Sequence, residues 1–192
     1  RSSVAGSDRY EFAHDRLLNW ACAEALTEQL REGRLLAEAA GQTMRKCLSR
    51  DLTASGRGLG YVAMDALWLV LADGALGPHA APLIRQLDDR PSEADSLYKY
   101  LLPTLGPSVL PALFQLIRER KTNSFRVHQL TGAVSVIGGP AAAAEATRLL
   151  EDPDPLNQRT AMVILDRCPS ADALERLWQL HCAGSVDATP FL

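Results

Sequence analysis

The side chains best suited to chemistry in this chain are few and scattered. His14 and Asp15 are neighbours in the stretch Tyr10-Glu11-Phe12-Ala13-His14-Asp15-Arg16-Leu17-Leu18-Asn19-Trp20-Ala21. An adjacent imidazole and carboxylate can begin a divalent-metal site, but such a site needs further ligands from neighbouring helices. The other histidines, His79, His128 and His181, lie in segments with no supporting ligand pattern. His14 therefore reads as a capping and packing residue of the first helix. Ser55-Gly56-Arg57-Gly58-Leu59-Gly60 could seat a phosphate at a helix amino terminus. It has neither a preceding strand nor a lysine, so a flexible joint is the plainer reading.

The four cysteines, Cys22, Cys47, Cys168 and Cys182, form no Cys-x-x-Cys pair, which argues against zinc. Cys168 and Cys182 fall at opposite ends of one expected helix, roughly 20 Å apart at 1.5 Å per residue, too far for a disulfide. Reduced, buried cysteines in a cytoplasmic protein fit this pattern. No Ser/His/Asp or Cys/His arrangement can be assembled, and the carboxylates are scattered over outer faces and caps. The aromatics Trp68, Tyr98, Tyr100, Phe114 and Trp178 fall on apolar stripes and read as core. The expectation is a protein that is not an enzyme, with no catalytic residue, metal or cofactor.

Charge points to one surface. From Leu105 to Gly138 the cations Arg118, Arg120, Lys121 and Arg126 face Glu119 alone, giving +3. From Gly139 to Leu192, four cations stand against eight acids, giving −4. A solvated helix end accounts for such a cluster, because cations favour carboxy termini. The sharper reading makes Arg118, Arg120, Lys121 and Arg126 a contact for an acidic protein partner or another module of a parent chain. The net charge of the whole is only −3, so no global field favours nucleic acid or an anionic membrane. The longest apolar run, Tyr61 to Ala72, contains Asp65 and is too short to span a bilayer.

Ten helical segments position these residues. They cover about 12–31, 35–48, 61–73, 79–89, 93–103, 108–119, 124–137, 140–151, 156–167 and 170–182. Apolar stripes at helical spacing support them: Leu18, Ala21, Cys22 and Ala25 in the first, and Tyr61, Met64, Leu67, Trp68 and Leu71 in the third. Leu110, Leu113, Phe114 and Ile117 follow, then Val127, Leu130, Val134 and Ile137, then Leu174, Leu177 and Trp178. Asp154-Pro155 and Ser92 with Asp95 mark helix starts. The Thr-, Ser- and Gly-rich stretch 51–58 is the best boundary, giving a connector over 1–54, an array over 55–184 and a tail over 185–192. The chain begins at Arg1 and reads as a piece of something longer.

A phrase recurs in the array. Leu76-Gly77-Pro78-His79-Ala80-Ala81-Pro82-Leu83-Ile84 returns as Leu105-Gly106-Pro107-Ser108-Val109-Leu110-Pro111-Ala112-Leu113, with looser copies at Ile137-Gly138-Gly139-Pro140 and Cys168-Pro169. Prolines 78, 107, 140 and 169 are spaced by 29, 33 and 29 residues, a period that marks stacked helical hairpins. Gly77, Gly106 and Gly139 are placed to take the left-handed conformation that closes a helix, and the following Pro suits the next first turn. Pro82 and Pro111, four residues on, imply either that those helices begin a turn later or that they kink there, and a kink is preferred because both copies carry the proline.

These phrases resemble HEAT-type repeats, specifically the short bacterial kind of the phycobilisome-lyase group. Leu149-Leu150-Glu151-Asp152-Pro153-Asp154-Pro155-Leu156-Asn157-Gln158-Arg159-Thr160-Ala161 is similar to that family's acidic turn and Arg-x-Ala helix entry. The resemblance covers roughly Arg57 to Gly184, about four helix pairs. It implies an all-α, right-handed α-solenoid of HEAT/ARM-like hairpins in which the second helix of each pair lines a concave face. The stretch Tyr10 to Ala21 resembles the phrase that closes the winged-helix part of STAND-class (NACHT/NB-ARC-like) signalling NTPases. His14-Asp15 alone also resembles the paired ligands of HD-type phosphohydrolases.

Together the resemblances imply the carboxy-terminal sensor of a bacterial STAND-like signalling or defence NTPase, non-catalytic, cytoplasmic and protein-binding. A bound partner would alter how the array leans on an upstream switch. No Gly-x-x-x-x-Gly-Lys-Ser/Thr phosphate loop occurs in these residues, so nucleotide-binding positions cannot be carried over. Two alternatives stand beside this one: a HEAT-like nucleic-acid-binding protein or DNA glycosylase, which the acidic final repeat opposes, and a scaffold or assembly factor of the lyase-type HEAT family.

Overall fold

A computed structural model describes residues 4–51, 60–87, 97–119 and 124–186. Among them the secondary structure is helical throughout, with no strand. The helices are α1 (Val4–Arg31), α2 (Ala37–Asp51), α3 (Gly60–Ala72), α4 (Ala80–Leu87), α5 (Leu97–Thr104), α6 (Leu110–Glu119), α7 (Ser124–Ile137), α8 (Gly139–Leu149), α9 (Pro155–Arg167) and α10 (Ala171–Cys182). Short 3-10 turns, Gly77–His79 and Gly106–Val109, lead into α4 and α6, and α5 opens as a π-turn over Leu97–Leu101. Each of the ten segments read from the sequence is occupied by a helix.

The recurring phrase has a structural meaning. Pro78 and Pro107 stand in the 3-10 turns that start α4 and α6, Pro140 stands at the start of α8, and Pro169 lies just before Ser170, the cap of α10. The marker prolines therefore open every second helix. A Pro is suited to that place because its missing N–H is one that a first turn leaves unpaired.

The chain divides into two compact units, Arg1–Ala94 and Asp95–Leu192. In the first, α1 packs on α2 and α3, α2 on α3 and α4, and α3 on α4. Trp20 meets Trp68 with ring centroids 6.0 Å apart, and Arg31 Nε lies 3.1 Å from Asp73 Oδ2. The two contacts fall in the same order along both segments, which sets α1 and α3 parallel. In the second unit α5 packs on α7, α6 on α7 and α8, α7 on α8 and α9, and α8 on α9 and α10. The principal contacts in both units join helices one or two places apart.

The cores of the two units are aliphatic. Leu67, Val70, Leu83, Ile84 and Leu87 are buried in the first, and Leu110, Leu113, Phe114, Ile117, Leu130, Val134 and Leu149 in the second. The stripe expected on α6 is wholly buried. On α7 its two middle members, Leu130 and Val134, are buried while Val127 and Ile137 are half-buried.

Several expectations are corrected. On α1 the buried line is Asn19, Ala23, Thr27 and Leu30, one or two positions on from Leu18, Ala21 and Ala25, which are exposed. A small Ala23 lets α3 approach, and Thr27 is accommodated because its hydroxyl donates to the Ala23 carbonyl at 2.8 Å. On α3 the buried face is Ala63, Ala66, Leu67 and Val70, leaving Trp68 exposed. Gly77 is not left-handed, whereas Gly106 and Gly139 are, at φ 68° and 75°. After α3 the reversal is made by Asp73, whose Oδ1 accepts from the Ala75 N–H at 2.9 Å while its carbonyl accepts from Leu76. The shared kink at Pro82 and Pro111 is replaced by a later start. The 3-10 turns run ahead, and both prolines fall in the first turn of the α-helix proper, where no donor is lost.

Asp154 caps α9 as its sequence indicates, accepting from the Leu156 N–H at 3.1 Å with Pro155 following. Ser170 caps α10 by accepting from Ala173 at 3.1 Å. The Ser92–Asp95 cap and the Ser55–Leu59 turn lie outside the described residues.

Candidate functional site

Of the four cations singled out in the sequence, two lie among the described residues. Arg118, in the last turn of α6, brings Nη2 to 3.8 Å from Glu145 Oε2 on α8, and Glu145 also pairs with Arg148. Arg126, in the first turn of α7, is half-buried and donates from Nη1 to Gln129 Oε1 at 2.9 Å. Arg120 and Lys121 lie outside the described residues. The two described guanidinium groups flank the 120–123 segment and engage different partners.

The side chains of His14 and Asp15 are likewise outside the described set, though both positions lie within α1. His79 is half-buried in its 3-10 turn, and His128 is exposed on α7. His181 has Nδ1 3.3 Å from the Val186 carbonyl oxygen and its ring 6.0 Å from Trp178. Among the described residues no three His, Cys, Asp or Glu side chains are grouped to hold a metal ion. Cys22, Cys168 and Cys182 are free thiols, and burial pushes Cys168 above the ordinary thiol range.

What the sequence reading missed is apolar surface. In the first unit Leu17 and Leu18 are exposed on α1, and Trp68 is exposed on α3. Beside them a groove of about 500 Å³ is lined by Ala21, Glu24, Ala25, Thr27, Glu28, Arg31 and Leu69. Its polar end is self-neutralised, because Arg31 pairs with both Glu28 and Asp73.

In the second unit Leu174 and Trp178 are 51% and 55% exposed, one turn apart on α10. Leu174 also forms one wall of a 140 Å³ groove with Met162, Leu165, Asp166, Pro169, Ser170, Ala173 and Leu177. The walls of this groove are aliphatic, with Asp166 the one carboxylate.

The chain matches no protein-family model, no curated protein and no solved structure. No helix among the described residues is, by itself, long and apolar enough to cross a membrane. The class that fold and surfaces define is an all-helical protein with apolar surface exposed in each of its two units.

Proposed function

We propose that this chain is a helical-repeat docking module: a right-handed solenoid of HEAT-like hairpins that holds a protein partner, or another module of its parent chain, and performs no chemistry itself. The observation that carries the reading is the placement of Pro78, Pro107, Pro140 and Pro169, which open every second helix. The principal contacts among the described residues join helices one and two places apart, which supports it because stacked hairpins pack on their neighbours. Such an array leaves long outer faces for binding. The STAND-like context, in which this chain is the sensor of a bacterial signalling NTPase and works in the cytoplasm, rests on the Tyr10–Ala21 phrase.

A photo-crosslinking residue at Arg118 or Arg126, in cells making the protein, tests the docking reading. The outcome expected is one discrete protein adduct, weakened by charge reversal at Arg120 and Lys121. Salt-sensitive binding of the purified chain to DNA, with no protein adduct, would instead favour the nucleic-acid alternative.

A further inference from the structure

The turn that closes α10 sends the chain back toward the helix it has just left. Gly184, at φ 69°, takes the left-handed conformation, and its N–H donates to the His181 carbonyl while the Ser185 N–H donates to Leu180, each at 2.9 Å. Val186 is then buried, and its carbonyl oxygen lies 3.3 Å from His181 Nδ1. The chain is thus seated against a side chain of α10 and not carried off the end of the helix.

His181 is also the end of a stripe. Leu174, Trp178 and His181 have the i, i+4, i+7 spacing that places side chains on one helix face. The Trp178 and His181 rings are 6.0 Å apart. Trp178 and Leu174 are more than half exposed, and Leu174 leads into the groove it lines with Leu165, Pro169 and Leu177. From the point where Val186 is held, exposed apolar surface therefore runs back along α10.

The residues that follow match that surface in kind and reach. Asp187-Ala188-Thr189-Pro190-Phe191-Leu192 lies outside the described residues, and its sequence is small and polar before two large apolar side chains. Pro190 disfavours helix at Thr189 and favours extended chain there. Phe191 is five residues beyond Val186, a reach of up to about 16 Å at about 3.3 Å per residue. Leu174 is seven residues before His181, only about 10 Å along the axis at about 1.5 Å per residue.

We infer that residues 187–192 form a strap that runs back along α10 and lays Phe191 and Leu192 on Trp178 and Leu174. The Gly184 turn and the seat of Val186 beside His181 set its direction. Asp187, Ala188 and Thr189 span the first turn of the return. The strap needs only α10 and its closing turn, whatever the rest of the chain binds.

The full chain carrying Trp20→Phe and Trp68→Phe keeps Trp178 as its one tryptophan. Acrylamide quenching of Trp178 should rise several-fold when Phe191→Asp and Leu192→Asp are added, with the helical circular dichroism unchanged. Equal quenching with and without the two aspartates overturns the strap. Shielding of Trp178 that is lost on dilution overturns it too, by giving the face to a second copy. A second measurement leaves every tryptophan in place. Carboxypeptidase should release Leu192 and Phe191 several-fold more slowly from the unaltered chain than from Leu174→Asp, as followed by mass spectrometry. Equal release from the two chains contradicts docking on α10.

Discussion

Cys168 Sγ lies 3.9 Å from the carbonyl oxygen of Ser135, 33 residues earlier, the interval that also separates Pro107 from Pro140. The contact joins the closing turns of α7 and α9, equivalent places in successive hairpins. Burial raises the thiol above its ordinary range, so the nucleophilic thiolate is scarce. Cys168 should therefore react with a thiol reagent far more slowly than the exposed Cys182, as read by mass spectrometry of the labelled peptides. Equal rates would show that α9 does not close over Cys168 in solution.

Gly138 sits beside the same contact at φ 60°, ψ −156°, a backbone region that only glycine adopts without strain. Gly138→Ala is expected to cost about 1–3 kcal/mol of unfolding free energy. Gly132, inside α7 with open space around it, is the control. Gly132→Ala should be neutral or stabilising by about 0.5–1 kcal/mol, because helix interiors favour alanine. Urea unfolding of the pair reads the difference.

Gly41 marks the closest approach in the first unit. A methyl there would overlap the Cβ of Gln86 and stand 3.4 Å from the Leu83 carbonyl oxygen, pushing α2 off α4. Gly41→Ala should lower stability by about 1–3 kcal/mol, although alanine is the better helix former. A stabilised variant in thermal unfolding would mean that α2 and α4 are further apart.

Asp73 gives the first unit an acid-side dependence. The Ala75 N–H and then the Arg31 guanidinium hold its carboxyl below the usual carboxylate range. A group whose folded pKa is depressed adds stability that is present above its unfolded pKa and is lost as pH falls through the folded value. Asp73→Asn keeps an acceptor for the turn and removes the titration. Its unfolding midpoint should fall less than that of the unaltered chain between neutral and acid pH. Superimposable pH profiles would contradict the assignment.

The helical segments and the Asp154 cap were legible in the sequence because both are local: period, capping side chain and proline placement need only neighbouring residues. Burial was less so. On α1 the leucines and alanines at 18, 21 and 25 have helical spacing, but the line through Asn19, Ala23 and Thr27 faces α3, since small and self-bonded side chains permit close approach. Trp68 and Trp178 belong to apolar stripes by pattern and are exposed by packing, which depends on which neighbour covers a helix. Gly77 was misread because Asp73 makes the turn that a left-handed glycine makes elsewhere.

The central claim is that each alternate helix is stacked on the next and not gathered into a closed bundle. On a background free of native cysteines, a short bismaleimide offered to cysteine pairs measures it directly. Pairs 118 with 145 and 151 with 176 replace the Arg118–Glu145 and Glu151–Arg176 ion pairs and should each crosslink within one molecule. The pair 118 with 176, two steps along the array, should not. Efficient linking of 118 to 176, or failure of both neighbouring pairs, would contradict the stacked arrangement.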